Sequence, residues 1–220
     1  MNVLVVAAHP DDELLGVGGT IAAHADRGDS VTALILCEGV SVRYGQERQA
    51  EVAAQSRRAA KILGVADLIV RDLPDQRLDT LPISQVAAHV EEVVKQRQPA
   101  VVYTHFGGDL NRDHRIVAEA VLIATRPYAA PSVREILMFE TPSATEWGSA
   151  QLLPAFQPTV FVDISATIER KIEAFLCYSA EVADPPHPRS VDALRARARY
   201  WGSQFNRPMA EAFAMVRSLR

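Results

Sequence analysis

Near the start of the chain an apolar run, Val3-Leu4-Val5-Val6-Ala7-Ala8, leads into His9-Pro10-Asp11-Asp12-Glu13. One imidazole and three consecutive carboxylates are a poor way to end a buried segment. The like charges repel, and all lose solvation if the turn is enclosed. A divalent cation is the economical partner for such a group. His9 and Asp12 are three residues apart on a turn, so both side chains can reach one point. A third candidate is His114, in Asp109-Leu110-Asn111-Arg112-Asp113-His114-Arg115. Two imidazoles and a carboxylate, with a position left open for water, make up a familiar catalytic zinc set. Asp and Asn are also favoured helix N-caps, and each segment alone fits a capped helix start. The run of three acids shifts the first segment toward metal.

Two other patterns fail on inspection. Asp109-x-Asn111-x-Asp113 begins like a calcium loop, but His114 replaces the required glycine and Ala120 the terminal glutamate. Gly16-x-Gly18-Gly19 hints at a dinucleotide fingerprint, but Asp11, Asp12 and Glu13 would stand where a pyrophosphate should go. Those glycines read instead as a face of close helix packing.

The elements that must position these residues alternate. Strands are expected at Val3–Ala8, Ser30–Cys37, Leu68–Val70, Ala100–Thr104, Val133–Phe139 and Thr159–Asp163. Helices are expected at Leu14–Arg27, Gln46–Leu63, Ile83–Gln98, Asp113–Thr125, Thr167–Ser179, Val191–Phe205 and Pro208–Leu219. This alternation predicts an α/β fold, a Rossmann-like doubly wound, mainly parallel sheet with flanking helices. His9, Glu38, Asp72 and His105 then lie just past strand ends, at the carboxyl edge where open α/β sheets bind ligands. Residues 139–158 read as a long loop carrying an exposed Trp147. Residues 184–220 read as a proline-pinned loop around His187 followed by closing helices. The 220 residues are expected to form a single domain.

Composition narrows the function classes. A net charge of −4 gives no electrostatic case for nucleic acid as the main ligand. No apolar stretch approaches the roughly 20 residues that span a bilayer. The N-terminal run is short and lacks a basic flank, so no signal peptide is indicated. Two distant cysteines, Cys37 and Cys177, form no disulfide framework. A cytoplasmic protein without a membrane span is the expectation.

Ala8-His9-Pro10-Asp11-Asp12-Glu13 after an N-terminal strand resembles the signature of the PIG-L/LmbE family of metal-dependent N-acetylglucosaminyl deacetylases. Asn111-x-Asp113-His114 is similar to the family's second motif, and Phe161-Val162-Asp163-Ile164-Ser165 with Lys171 to its late strand and helix. Pro186-His187-Pro188-Arg189-Ser190 resembles a C-terminal segment of one branch. The resemblance implies His9, Asp12 and His114 as ligands of one zinc ion, Asp11 as general base, and Asp113 as the group that orients an active-site histidine. Many members carry histidine where this chain has Asn111, and asparagine cannot act as an acid. His187 is the first candidate to replace it and His105 the second. Arg48, Asp75, His105, Asp109, Asn111 and Arg189 are candidate substrate contacts, with Arg43 and Tyr44 near the same cleft. The activity implied is removal of the N-acetyl group from an N-acetylglucosamine-type sugar or conjugate by a homo-oligomer. The alternatives are an amidase acting on a thiol-sugar conjugate and an inert sugar-binding member.

Overall fold

The computed structural model describes residues 1–39 and 48–219. Its strands are β1 (Asn2–Ala7), β2 (Ser30–Cys37), β3 (Asp67–Leu73), β4 (Val101–His105), β5 (Glu135–Phe139), β6 (Val160–Asp163) and β7 (Ala210–Ser218). Its α-helices are α1 (Asp12–Asp26), α2 (Gln49–Leu63), α3 (Ile83–Arg97), α4 (Arg112–Ala124), α5 (Ile168–Leu176) and α6 (Val191–Ser203). The strands form one sheet in the order β3-β2-β1-β4-β5-β7-β6. β3, β2, β1, β4 and β5 pair in parallel, and β7 runs antiparallel between β5 and β6. The doubly wound α/β expectation is therefore met.

Alternation along the central strand builds two cores. Val3 and Val5 of β1 face α1, α2, α5 and α6, in a cluster with Leu14, Ile21, Leu63, Ile172, Phe175 and Leu194. Leu4 and Val6 face α3 and α4, packing with Val86, Val90, Val117 and Val121. Successive side chains of a strand point to opposite faces, so one apolar run serves both layers. Among the described residues, no helix is long and apolar enough to cross a membrane.

One element departs from expectation. Pro208–Leu219 was expected to be helical; instead Ala210–Ser218 is a strand. Its alanines and glutamate favour a helix locally, but β5 and β6 flank it on both sides and supply ladder partners for its backbone. Tertiary pairing outweighs a weak intrinsic preference. The start of α2 expected at Gln46, and Arg43 and Tyr44, lie outside the described residues.

α1 sits unusually close to its neighbours, as its glycine face predicts. A Cβ on Gly16 would enter the Phe139 ring, and one on Gly19 would lie 2.8 Å from Ile164. A buried ion pair also fastens this helix. Lys171 Nζ donates to Glu211 Oε1 (2.6 Å) and to the carbonyl of Leu15 (2.8 Å), while the Glu211 carboxylate accepts from the amides of Gly19 (2.9 Å) and Thr20 (2.7 Å).

Candidate metal centre and active site

The strand order reverses direction between β1 and β4, which lie side by side although β1 is followed in sequence by β2. Open α/β sheets bind ligands at such a switch point. His9 to Asp12 leave β1 there, His105 ends β4, and His114 lies in the first turn of α4.

The turn after β1 is wound tightly. Asp11 takes the N-cap position of α1 at φ 103°, a left-handed conformation, and its side chain makes no capping bond. The strained amide of Asp11 donates to Glu13 Oε2 (3.1 Å). The Glu13 carboxylate is therefore engaged at the helix end, whereas that of Asp11 is not. Asp12 Oδ2 accepts from the His9 amide (2.9 Å) and lies 3.1 Å from His9 Nδ1 and 3.3 Å from His114 Nε2. Asp12 Oδ1 and both ring nitrogens of His114 are buried without a well-formed hydrogen bond. Buried polar atoms are normally satisfied; His114 Nδ1 faces Asp109, which leaves Asp12 Oδ1 and His114 Nε2 as the atoms a further partner would satisfy. The donor atoms of His9, Asp12 and His114 all lie within 4.8 Å of one another. His9, Cys37 and Asp113 also converge, but Cys37 and Asp113 do not line the cavity, whereas His9, Asp12 and His114 do. An His–His–carboxylate donor set suits zinc.

Both candidate histidine ligands have carboxylate partners behind them. Asp113 Oδ2 lies 3.2 Å from His9 Nε2, and its Oδ1 accepts from the Leu78 amide (3.1 Å). Asp113 thus bridges the His9 ring and the backbone at Leu78. Asp109 Oδ1 lies 3.2 Å from His114 Nδ1, and its Oδ2 accepts from Thr145 Oγ1 (2.6 Å). His105 stacks on His114, with ring centroids 3.9 Å apart. Its Nε2 accepts from the Ala8 amide (2.9 Å), so the proton sits on Nδ1, 3.1 Å from Thr141 Oγ1.

Charge is balanced by geometry. Burial opposes ionisation of Asp12, but His114, His105 and His9 hold its carboxyl well below the usual range. Burial pushes Asp11 up to about 7; Arg189 pulls it down, while Asp12 and Glu181 push it further up. Burial, and then Asp11, raise Glu13 to about 8. Burial alone would lower His9, yet hydrogen bonds to Asp113 and Asp12 raise it well above the usual imidazole value.

Above this floor opens a cavity of about 690 Å³. Asp11, Asp75, Asn111, His187 and Arg189 line it together with the three candidate ligands. Arg189 Nη1 donates to Asp11 Oδ2 (2.8 Å) and Glu181 Oε2 (2.8 Å), and its Nε to Ser143 Oγ (2.8 Å). The Arg189 amide donates to His187 Nδ1 (3.0 Å). In the neutral ring His187 then carries its proton on Nε2.

Several candidate substrate contacts fall elsewhere. His105 and Asp109 have no exposed surface and do not line the cavity. The Asp109 carboxylate is taken up by His114, Asn111 and Thr145, and the ring nitrogens of His105 by Ala8 and Thr141, so both lie beneath the cavity. Arg48 lines a small recess beside Pro10 and Gly39 and pairs with Glu51 (3.2 Å). Asp72 lies inside β3, which runs on to Leu73, and it is exposed. The acid that reaches the site from this edge is Asp75, 3.3 Å from His9 Nε2.

Gln76 and Glu181 were not legible as site residues. Gln76 adopts φ 55° and places its amide between His9 Nε2 (3.1 Å) and Asn111 Nδ2 (3.2 Å). The one signal was the Pro74-Asp75 turn before it. Glu181 sits in an irregular segment with no pattern to single it out.

Known proteins with related sequences bear on the same residues. The family model PIG-L: GlcNAc-PI de-N-acetylase matches residues 4–125, which include His9, Asp12 and His114. The uncharacterized deacetylase YaiS of Escherichia coli K12 is 32% identical over 168 residues, 74% of this chain and 82% of that protein. Diacetylchitobiose deacetylase of Thermococcus kodakarensis is 27% identical over 229 residues, 98% of this chain and 83% of its own. The crystal structure of the conserved protein TT1542 from Thermus thermophilus superposes with a TM-score of 0.82 at 26% identity, covering 99% of this chain and 96% of that one. The chain belongs to the PIG-L family, and its metal-shaped cluster stands where the family model matches.

Proposed function

We propose that the protein is a zinc-dependent N-deacetylase acting on an N-acetylglucosamine-type sugar or sugar conjugate. The observation that carries this reading is the convergence of His9, Asp12 and His114 at the cavity floor, with donor atoms left unpartnered and the carboxylate of Asp11 beside them. Zinc held by these three residues supplies Lewis acidity toward an acetyl carbonyl and lowers the pKa of water.

The remaining work falls to the chain's own side chains. Asp11, pushed up to about 7, has the proton affinity of a base that works near neutrality. It takes the proton of the attacking water as the new C–O bond forms. It then returns that proton to the sugar nitrogen as the amide C–N bond breaks, leaving acetate and a free amine. Arg189 keeps the Asp11 carboxylate aimed into the cavity through its Oδ2. His187 presents Nε2–H as a donor to the negative oxygen that develops on the acetyl carbon, the role oxyanion donors play in acyl transfer. Asn111 caps α4 through the Asp113 amide and offers its amide edge, with Gln76 and Asp75, to sugar hydroxyls.

Two free cysteines far apart in the chain support a cytoplasmic location. The reading is tested by acetate release from a panel of N-acetyl sugars by zinc-loaded and chelator-treated protein. Release that is lost with chelator and restored by zinc is expected. Turnover unaffected by metal removal would sink it.

A further inference from the structure

Trp147 stands on the rim of the cavity with 53% of its surface exposed, beside Leu110, which is 51% exposed. The short 3-10 turn that carries it, Thr145–Trp147, is held from several sides. Thr145 Oγ1 donates to Asp109 Oδ2 (2.6 Å) and accepts from the Thr141 amide (2.8 Å). The Glu146 carboxylate accepts from the amides of Ser143 (3.0 Å) and Ala144 (3.3 Å) and from Arg197 Nη2 (2.7 Å). A Cβ on Gly148 would lie 3.0 Å from the Gly108 carbonyl, so this turn abuts the loop that carries Leu110. The backbone that carries the indole is thus fixed at the rim, and the indole's apolar area lies open beside the candidate catalytic groups. The His187 ring meets it at 86°, making a corner between the indole and the reaction centre.

The charges around this shelf select among ligands. Asp11, Asp12, Asp75 and Glu181 line the same cavity, against Arg112 and Arg189. Arg189 is committed to Asp11 and Glu181, and Arg112 Nε lies 3.6 Å from Asp79. An anionic group would find both arginines already paired with carboxylates. A ring with hydroxyls at its edge finds Asn111, Ser143 and Arg112 within the lining.

We propose that Leu110 and Trp147 form a subsite for a second, uncharged pyranose ring joined to the N-acetyl sugar, so that the substrate is a neutral disaccharide or longer glycan. Pyranose faces are apolar and stack on indoles, whereas their edges need polar partners. This inference rests on the deacetylase reading and narrows its substrate class.

The experiment compares kcat/KM for four N-acetylglucosaminides carrying methyl, phenyl, a second N-acetylglucosamine or malate. The disaccharide is expected to exceed the methyl glycoside by about tenfold. Trp147→Ala should collapse that ratio, and Trp147→Phe should restore part of it. Preference for malate or phenyl would overturn the pyranose assignment, as would a ratio unmoved in Trp147→Ala. A changed sedimentation mass for Trp147→Ala would assign the shelf to contact between copies and overturn it too. If no arm turns over, the deacetylase reading fails separately. The subsite is then judged by calorimetric Kd for the disaccharide: about tenfold weaker binding in Trp147→Ala supports it, and equal binding overturns it.

Discussion

Asp11 pays for its position. A non-glycine residue at φ 103° sits in backbone space that costs on the order of 1–3 kcal/mol. The strain turns its carboxylate away from the helix end and toward Arg189. Asp11→Asn keeps the shape and removes the base, so kcat should fall about 10²–10⁴-fold while bound zinc, measured by elemental analysis, stays at the wild-type level. Loss of metal would instead place Asp11 among the ligands. The two spare histidines separate in the same way. His187 faces the cavity, and His187→Ala should lower turnover by about 10²–10³-fold with little change in melting temperature. His105 is buried under His114, and His105→Ala should lower both zinc content and melting temperature, because it removes a stacked ring and leaves the Ala8 amide unpaired. The reverse pattern would exchange their roles. Sequence could pair His9 with Asp12 because their spacing on a turn is local, whereas His114, far along the chain, was joined to them by its motif's resemblance to the family's. It could not separate substrate contacts from supports. Asp109 and His105 look as polar as Asn111 in the sequence, and only the fold decides which of them meets the cavity.

At the scale of elements, the site depends on how closely α1 approaches the sheet. Gly16 leaves room for Phe139, whose ring lies 4.7 Å from that of His105, and His105 stacks on His114. A methyl group at position 16 would push along this line. Gly16→Ala should therefore destabilise the fold by about 1–3 kcal/mol through overpacking and also weaken zinc binding, read in a competition titration with a chromophoric chelator. A loss of stability with unchanged zinc affinity would show that Phe139 moves without disturbing the histidines. Close helix packing was legible from the glycine cluster, since few other roles fit it. The strand at Ala210–Ser218 was not, because alanine and glutamate say helix until flanking strands are known. The same gap hid Glu211. Its carboxylate reads as solvated until β7 carries it inward to Lys171 and the amides of α1.

For the whole molecule, strand–helix alternation was enough to foresee the sheet, and the fall of His9 and His105 at strand ends pointed to one edge as the candidate site. The switch point itself came from pairing, because the neighbours of β1 are set by contacts far apart in sequence. The result is a fold that gathers Asp11, Asp12, Glu13, Asp75, Asp109 and Asp113, all buried, around a few cations. Such a cluster is costly without a metal, and a ligand that binds only the folded chain stabilises it by mass action. At a zinc concentration about 100 times Kd the gain is about 2.7 kcal/mol. For a chain of this size that corresponds to a rise in melting temperature of about 5–11 °C. Chelator should reverse the rise, and Asp12→Asn should abolish it while still melting cooperatively. This measurement needs no substrate, so it tests the metal centre apart from the activity. A wild-type melting temperature that ignores zinc, or an Asp12→Asn protein that responds as fully as wild type, would remove His9, Asp12 and His114 from the role argued for them.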